Sequence, residues 1–265
     1  MRVFAAILFY LRGMEKVILI TGATSGFGMA MARTFAAQGH AIIVTGRRED
    51  RLHDLQHNLE QVHPGAVLSL PFDVRNEQEV TEAVEKALNW KGHIDVLINN
   101  AGLAAGRDPI DTASSEDWNQ MIDTNVKGLL WMSKYVAAAM KQRGQGHIVN
   151  IGSIAGKEAY GGGSVYCASK FAVEAITQSM RVDLLPFGIK VSQVCPGAAN
   201  TEFSLVRFKG DEEKANAVYQ GFIPLNAQDI ADAVDFIIHR PKHVSIHDMV
   251  IMPAAQASSL IIHKP

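Results

Sequence analysis

Cysteine is scarce in this 265-residue sequence: only Cys167 and Cys195 occur, with no CxxC pair and no Cys/His cluster. That excludes a disulfide framework and leaves no ligand pattern for zinc, so no metal is expected and the reducing cytoplasm is the simplest setting. Excess positive charge is missing as well. With 25 Lys and Arg against 27 Asp and Glu, the formal net charge is −2, which argues against a nucleic-acid partner because phosphate backbones demand a concentrated positive field. Long hydrophobic runs are also scarce. The run near the front, "VFAAILFYL" at 3–11, has nine residues, whereas spanning a bilayer takes about 20. It lacks a small-x-small cleavage site, so no membrane partner and no secretory signal is expected. Residues 1–14 read as a poorly ordered extension, with Met14 opening the domain cleanly. No Pro/Ser/Gly linker, repeat or low-complexity tract divides the rest, so 15–265 is expected to be one domain.

What is present is a composition of 48% apolar and 20% charged residues, suited to a full core. Short β-branched runs recur at 16–21, 40–45, 66–72, 94–99, 146–151, 189–194 and 247–252. Most are apolar on both faces, as strands covered by helices on each side must be. Between them, helical patterns are expected at 27–38, 48–61, 76–89, 115–141, 164–185 and 227–239. This alternation predicts an α/β fold, a doubly wound parallel sheet of Rossmann type with right-handed crossovers. The stretch 197–226 fits neither pattern, and a connection of that length in a compact domain reads as a substrate lid.

"TGATSGFG" at 21–28 follows the first strand and opens the first helix. Gly22, Gly26 and Gly28 permit a tight turn and close backbone approach to a pyrophosphate, with Thr24, Ser25 and Phe27 completing the cradle at the helix N-terminus. The second strand ends in "TGRR". No acid stands there to accept the ribose 2′-OH of NAD, whereas Arg47 and Arg48 suit the 2′-phosphate of NADP(H). Further on, Tyr166 and Lys170 in "VYCASK" lie four residues apart on one helical face. An isolated pair of this kind is a solvated contact; beside a nicotinamide, an ammonium one turn from a phenol would stabilise phenolate and bring its pKa down from about 10.

Together with "NNAG" at 99–102, "DTNVKG" at 123–128, "NIGSIAG" at 150–156 and "CPG" at 195–197, these motifs resemble, in order and spacing, the short-chain dehydrogenase/reductase family from about Lys16 onward. The resemblance implies a catalytic set of Asn125, Ser153, Tyr166 and Lys170. Tyr166 would be the general acid in reduction and base in oxidation, and Ser153 would hold the substrate oxygen. Lys170 would tune Tyr166 and hold the nicotinamide ribose, and Asn125 would help to hold a water that relays protons. It further implies cofactor contacts from Asp73 and Val74 to the adenine, from Asn100, Ala101 and Gly102 to the adenosine ribose, and from Pro196, Gly197 and Thr201 around the nicotinamide. Members of the family are commonly homotetramers. Cys167 is expected to pack as a small apolar residue rather than to react.

"TEFSLVRFKGDEEKANAVYQ" at 201–220 is similar to the NADP-dependent 3-hydroxy acid dehydrogenases, the group that includes L-allo-threonine and serine dehydrogenases and malonic semialdehyde reductases. One fewer residue separates Pro196-Gly197 from Thr201-Glu202-Phe203 than that group leads one to expect. A carboxylate substrate calls for a cation, and Arg207 is the candidate, with Lys209 beside it. The competing readings are a carbonyl reductase of another class (a 3-oxoacyl thioester, a steroid or a xenobiotic ketone) and a non-catalytic NADP(H)-sensing protein on the same fold.

Overall fold

The computed structural model describes residues 15–264. The expected N-terminal extension, 1–14, lies outside the described residues, as does Pro265. In chain order the elements are β1 (Val17–Ile20), α1 (Gly26–Ala37), β2 (Ala41–Gly46), α2 (Glu49–Glu60), β3 (Val67–Pro71), α3 (Glu77–Lys91) and β4 (Val96–Asn99). There follow α4 (Ser115–Ile122), a π-helical turn (Asp123–Gly128), α5 (Leu129–Arg143), β5 (Gly146–Ile151), α6 (Ser164–Leu184) and β6 (Ile189–Pro196). The chain finishes with α7 (Glu202–Arg207), α8 (Glu212–Ala217), α9 (Ala227–Ile238) and β7 (Asp248–Ile251).

All strand pairs are parallel, in the order β3-β2-β1-β4-β5-β6-β7. The pleat explains the apolar runs. Ile18 and Ile20 point into a core shared with Phe35 of α1 and Val234 of α9, while Val17 and Leu19 point the other way, toward Val80 of α3 and Val136 of α5. Both faces are therefore buried, and no strand residue of β1 can be polar without a partner. The outer helices stop where local chemistry stops them: Asn76 caps α3 through the backbone N–H of Gln78, and Gly92 ends it in the left-handed region at φ 76°. A capping box between Asn226 and Asp229 opens α9.

Two expectations need correction. The helix read as 115–141 is not continuous, because the π-helical turn Asp123–Gly128 interrupts it. The apolar spacing survives across the turn, so the pattern alone resembles one helix. What inserts the extra residue is tertiary: the Asn125 side chain is pulled out to Leu103, and Val74 packs so closely on Gly128 that a Cβ there would meet its Cγ2 at 2.8 Å. The stretch 197–226 is not irregular either. It holds α7 and α8 and is pinned at its base by Asn200 N–H to Leu225 O (2.8 Å) and Leu225 N–H to Ala198 O (3.0 Å). Among the described residues no helix is long and apolar enough to cross a membrane.

Candidate active site

The strand order reverses at β1, which sends β1 and β4 to opposite neighbours and opens a crevice at their carboxyl ends. A cleft of about 1100 Å³ occupies it and runs on beneath α7. Of the catalytic, cofactor and substrate residues expected from the sequence, all line this cleft except Gly28 and Asn125.

At one end, α1 starts without a side-chain cap: Ser25 precedes it, and no acid stands in its first turn. Its orphan N–H groups and partial positive charge thus face the cleft, which suits a pyrophosphate. Gly22, at φ 66°, makes the turn that an L side chain would resist. Gly28 does not line the cleft but shapes it, since a Cβ there would meet the Gly22 carbonyl oxygen at 2.4 Å. Asn100 ties the same turn down from β4, donating from Nδ2 to Thr21 O (2.9 Å) and Gly22 O (3.0 Å).

Arg48 donates from Nε and Nη2 to Thr24 Oγ1 (3.1 and 2.8 Å) and from Nη1 to Glu202 of α7 (3.0 Å). Arg51 grips the other oxygen of Glu202 at 2.6 Å, while Arg47 is exposed at the mouth. Two guanidiniums thus share one carboxylate, with Arg47 beside them, an arrangement suited to a 2′-phosphate. Asp73 lies in the cleft wall as expected, but its carboxylate is engaged by Arg75 through Nη2 (2.6 Å) and Nε. Burial would raise the Asp73 carboxyl; the Arg75 hydrogen bonds outweigh it and hold the group below the ordinary range. Thr201 caps α7, its hydroxyl accepting from Phe203 N–H (3.2 Å), and the same side chain faces Gly26.

At the other end, Ser153, Tyr166 and Lys170 converge from the β5 loop and from α6. Ser153 Oγ accepts from Ala155 N–H at 3.1 Å, and Lys170 Nζ donates to Ile151 O at 2.9 Å. Burial lowers the Lys170 ammonium to about 8. Burial, reinforced by Tyr160, pushes the Tyr166 phenol up, against the pull of the Ser153 hydroxyl and the Arg207 guanidinium. The lowering expected of Lys170 is thus absent from the protein's own field, because desolvation of the phenolate dominates. Asn125 sits behind this group in the π-helical turn. Its side chain bridges Leu103 N–H (2.9 Å), Leu103 O (2.8 Å) and Ser169 Oγ (3.0 Å), fastening the loop after β4 to α6. Cys167 is buried in an apolar cluster with Leu103 and Met121.

Arg207 lines the cleft near this group, with its guanidinium 5.6 Å from the Tyr166 ring centroid. Lys209 is turned outward into an ion pair with Asp117 at 2.9 Å. Sequence reasoning missed three residues. Tyr160 receives a hydrogen bond from Arg207 Nη1 at 3.0 Å, and its place just before the Gly161–Gly163 run was the only signal. Phe203 packs on Tyr166 at 5.6 Å between ring centroids. Gln256, buried and far along the chain, accepts from Ala198 N–H at 2.8 Å at the base of 197–226, and nothing near it in the sequence marks it. Glu174, Cys195 and Asp248 also converge, within 4.8 Å, but the Lys157 ammonium already bridges both carboxylates.

Comparison with known proteins agrees with this architecture. The family described as short chain dehydrogenase matches residues 16–211. The NADP-dependent 3-hydroxy acid dehydrogenase YdfG of Salmonella typhi is 44% identical over 251 residues, covering 94% of this chain and 99% of that protein. Sulfoacetaldehyde reductase 2 of Chromohalobacter salexigens is 43% identical over 250 residues, covering 93% of this chain and 97% of its own. A solved structure, the closed form of serine dehydrogenase complexed with NADP+, aligns with a TM-score of 0.88 at 42% identity, over 94% of this chain and 100% of that one. With the match extending from β1 through α6 and into α7, the chain belongs to the short-chain dehydrogenase family.

Proposed function

We propose that the protein is an NADP(H)-dependent oxidoreductase acting on a small 3-hydroxy acid such as serine, L-allo-threonine or 3-hydroxypropionate. The observation that carries this reading is one continuous cleft with the Arg48 corner at one end and Ser153, Tyr166 and Lys170 at the other. It occurs in a chain whose relatives are named for NADP-dependent chemistry on hydroxy acids. The uncapped start of α1 would hold the pyrophosphate, and Arg47 and Arg48 would hold the 2′-phosphate. Of the cleft-lining residues, Asp73, Val74, Asn100, Ala101 and Gly102 would meet the adenosine half, and Pro196, Gly197 and Thr201 the nicotinamide half.

Bound NADP+ supplies the hydride acceptor and a positive charge that opposes the burial-driven rise of the Tyr166 pKa. Ser153 donates to the substrate oxygen and fixes it against Tyr166 Oη. In oxidation Tyr166 takes the hydroxyl proton as the substrate carbon gives up its hydride; in reduction it returns that proton to the carbonyl oxygen. Lys170, whose burial lowers its pKa to about 8, exchanges its proton readily at mildly alkaline pH and passes protons onward, with Asn125 setting the loop that faces it. We also infer a homotetramer, supported by Leu130, Phe171, Val182 and Phe236, all exposed on α5, α6 and α9. A cytoplasmic setting is supported by the free thiols Cys167 and Cys195.

The test is a substrate panel. Initial rates with L-serine, L-allo-threonine and 3-hydroxypropionate are measured with NADP+ and with NAD+, beside NADPH-dependent reduction of an acetoacetyl thioester. Turnover of the hydroxy acids with preference for NADP+ is expected. Turnover of the thioester alone would overturn the substrate, and inertness across the panel would favour an NADP(H) sensor. Sedimentation velocity tests the tetramer, and a monomer at micromolar concentration would refute it.

A further inference from the structure

The corner suited to a 2′-phosphate already contains an anion, and it is the protein's own. Glu202, the first residue of α7, places one carboxylate oxygen 3.0 Å from Arg48 Nη1 and the other 2.6 Å from Arg51 Nη1. Arg48 turns its remaining nitrogens, Nε and Nη2, to Thr24 Oγ1. Thr24, Arg48 and Glu202 all line the cleft. Burial raises the Glu202 carboxyl; the hydrogen bonds from Arg51 and Arg48 outweigh it and hold the group below the ordinary range, so near neutrality it is fully ionised. Arg48, Arg51 and Glu202 keep 39%, 43% and 37% of their side-chain surface exposed, so a dissolved anion reaches them. Ion pairs this exposed add little to folding. This one nevertheless spans 154 residues and ties α7 to the end of β2. The next residue of α7, Phe203, packs on Tyr166 with ring centroids 5.6 Å apart.

We propose that Glu202 is a specificity-determining residue of the cofactor site: its carboxylate takes the place of the 2′-phosphate in the empty cleft and gives way when NADP(H) binds, which releases α7 from Arg48. This rests on the reading above that Arg48 takes the 2′-phosphate, and it deepens that reading. A phosphate monoester carries close to two negative charges. Beside the same guanidinium it repels the Glu202 carboxylate and is the more strongly charged acceptor. NAD(H) brings only a hydroxyl to this corner and leaves the ion pair intact. Glu202 therefore opposes the binding of NADP(H) and not that of NAD(H), moderating the preference that Arg47 and Arg48 create. It also couples the choice of cofactor to the helix that carries Phe203 against Tyr166.

The experiment uses the full-length protein as wild type, E202Q, E202A, D50N and R48A. Titration calorimetry gives the Kd for NADP+, NAD+ and adenosine 2′-monophosphate, the last of which carries the phosphate without the nicotinamide. E202Q and E202A lower the Kd for NADP+ and adenosine 2′-monophosphate by about 10-fold, the size expected for removing one charge a few ångströms from a doubly charged phosphate in water-exposed surroundings. The Kd for NAD+ stays within about twofold. Asp50 is an exposed acid in the first turn of α2, between Arg48 and Arg51 in sequence, and D50N changes every Kd by less than about twofold, which separates the Glu202 contact from the general field. Amide hydrogen exchange at 203–207 reads the release of α7. Adenosine 2′-monophosphate speeds it in the wild type and adenosine 5′-monophosphate does not; in E202Q it is already fast and responds to neither. Glu202 variants that bind NADP+ no tighter than wild type or D50N would overturn the proposal, as would exchange in α7 that ignores the 2′-phosphate. A wild type that binds NADP+ no tighter than NAD+, with R48A leaving both unchanged, would overturn the placement of the 2′-phosphate itself.

Discussion

Replacing Gly28 with alanine tests whether the cofactor end is shaped by backbone contact. The new Cβ would stand 2.4 Å from Gly22 O, 2.7 Å from Asn100 Nδ2 and 2.9 Å from Ala23 Cα. Ordinary contacts begin near 3.5 Å, so the turn must retreat by about an ångström. Two of the three obstacles are backbone, and the third is the amide that donates to Thr21 O and Gly22 O. No side-chain rotation relieves the overlap. Forced overpacking of this kind costs about 1–3 kcal/mol. Where that energy is felt decides the outcome. Retreat moves the Gly22 turn and the start of α1 together, the groups proposed to meet the pyrophosphate, so the larger share falls on cofactor affinity. We expect the Kd for NADP+ to rise by ~10-fold or more, and the thermal midpoint to fall by about 4 °C. Titration calorimetry with NADP+ and a thermal melt without it measure the two effects. Gly161→Ala is the control, since nothing lies within 4 Å of a Cβ there and its φ is ordinary. A Gly28→Ala protein that binds NADP+ within twofold of wild type and melts at the wild-type temperature would refute the reasoning.

Three further outcomes follow from the geometry. Tyr166→Phe should lower kcat by ~10²–10⁴-fold, read in steady-state oxidation, with the melting temperature within about 2 °C of wild type. Arg48→Ala should cut the preference for NADP+ over NAD+ by at least ~10-fold, read as the ratio of kcat/KM values, because NAD+ offers no 2′-phosphate to the lost guanidinium. The third concerns pH and stability. Burial, with the neighbouring His239 as the next cause, lowers the pKa of His40 to about 4. The unfolded chain protonates this imidazole below about 6.5 and the folded chain does not until about 4, so stability is full above 6.5 and declines as pH falls across that window. The loss is roughly 3 kcal/mol for this 2%-exposed residue, and His40→Gln should flatten that part of the profile in urea titrations between pH 7 and 4.

Much of the fold is legible in the chain because a strand buried on both faces has no choice of composition. The run 16–21 appears as β1 at 17–20, and 247–252 appears as β7 at 248–251. Helix starts are equally local: Asn76 and Asn226 cap by reaching their own next turn. The same locality hides the π-helical turn at Asp123–Gly128, since its cause is Leu103, 22 residues away from Asn125 in sequence.

The candidate site divides along the same line. Sequence by itself determined the glycine turn, the arginine pair after β2, and the phenol and ammonium one helical turn apart on α6. Each is a short-range arrangement whose chemistry follows from spacing. Only the tertiary structure decided that Asp73 is engaged by Arg75, and that Glu202 of α7 reaches across 154 residues to Arg48. It alone decided that Lys209 is drawn into an ion pair with Asp117, while Tyr160 meets Arg207 from 47 residues away. Periodicity records which face of an element is buried. It carries no record of which distant side chain is packed against that face, and burial is also what raises the Tyr166 phenol and lowers the Lys170 ammonium.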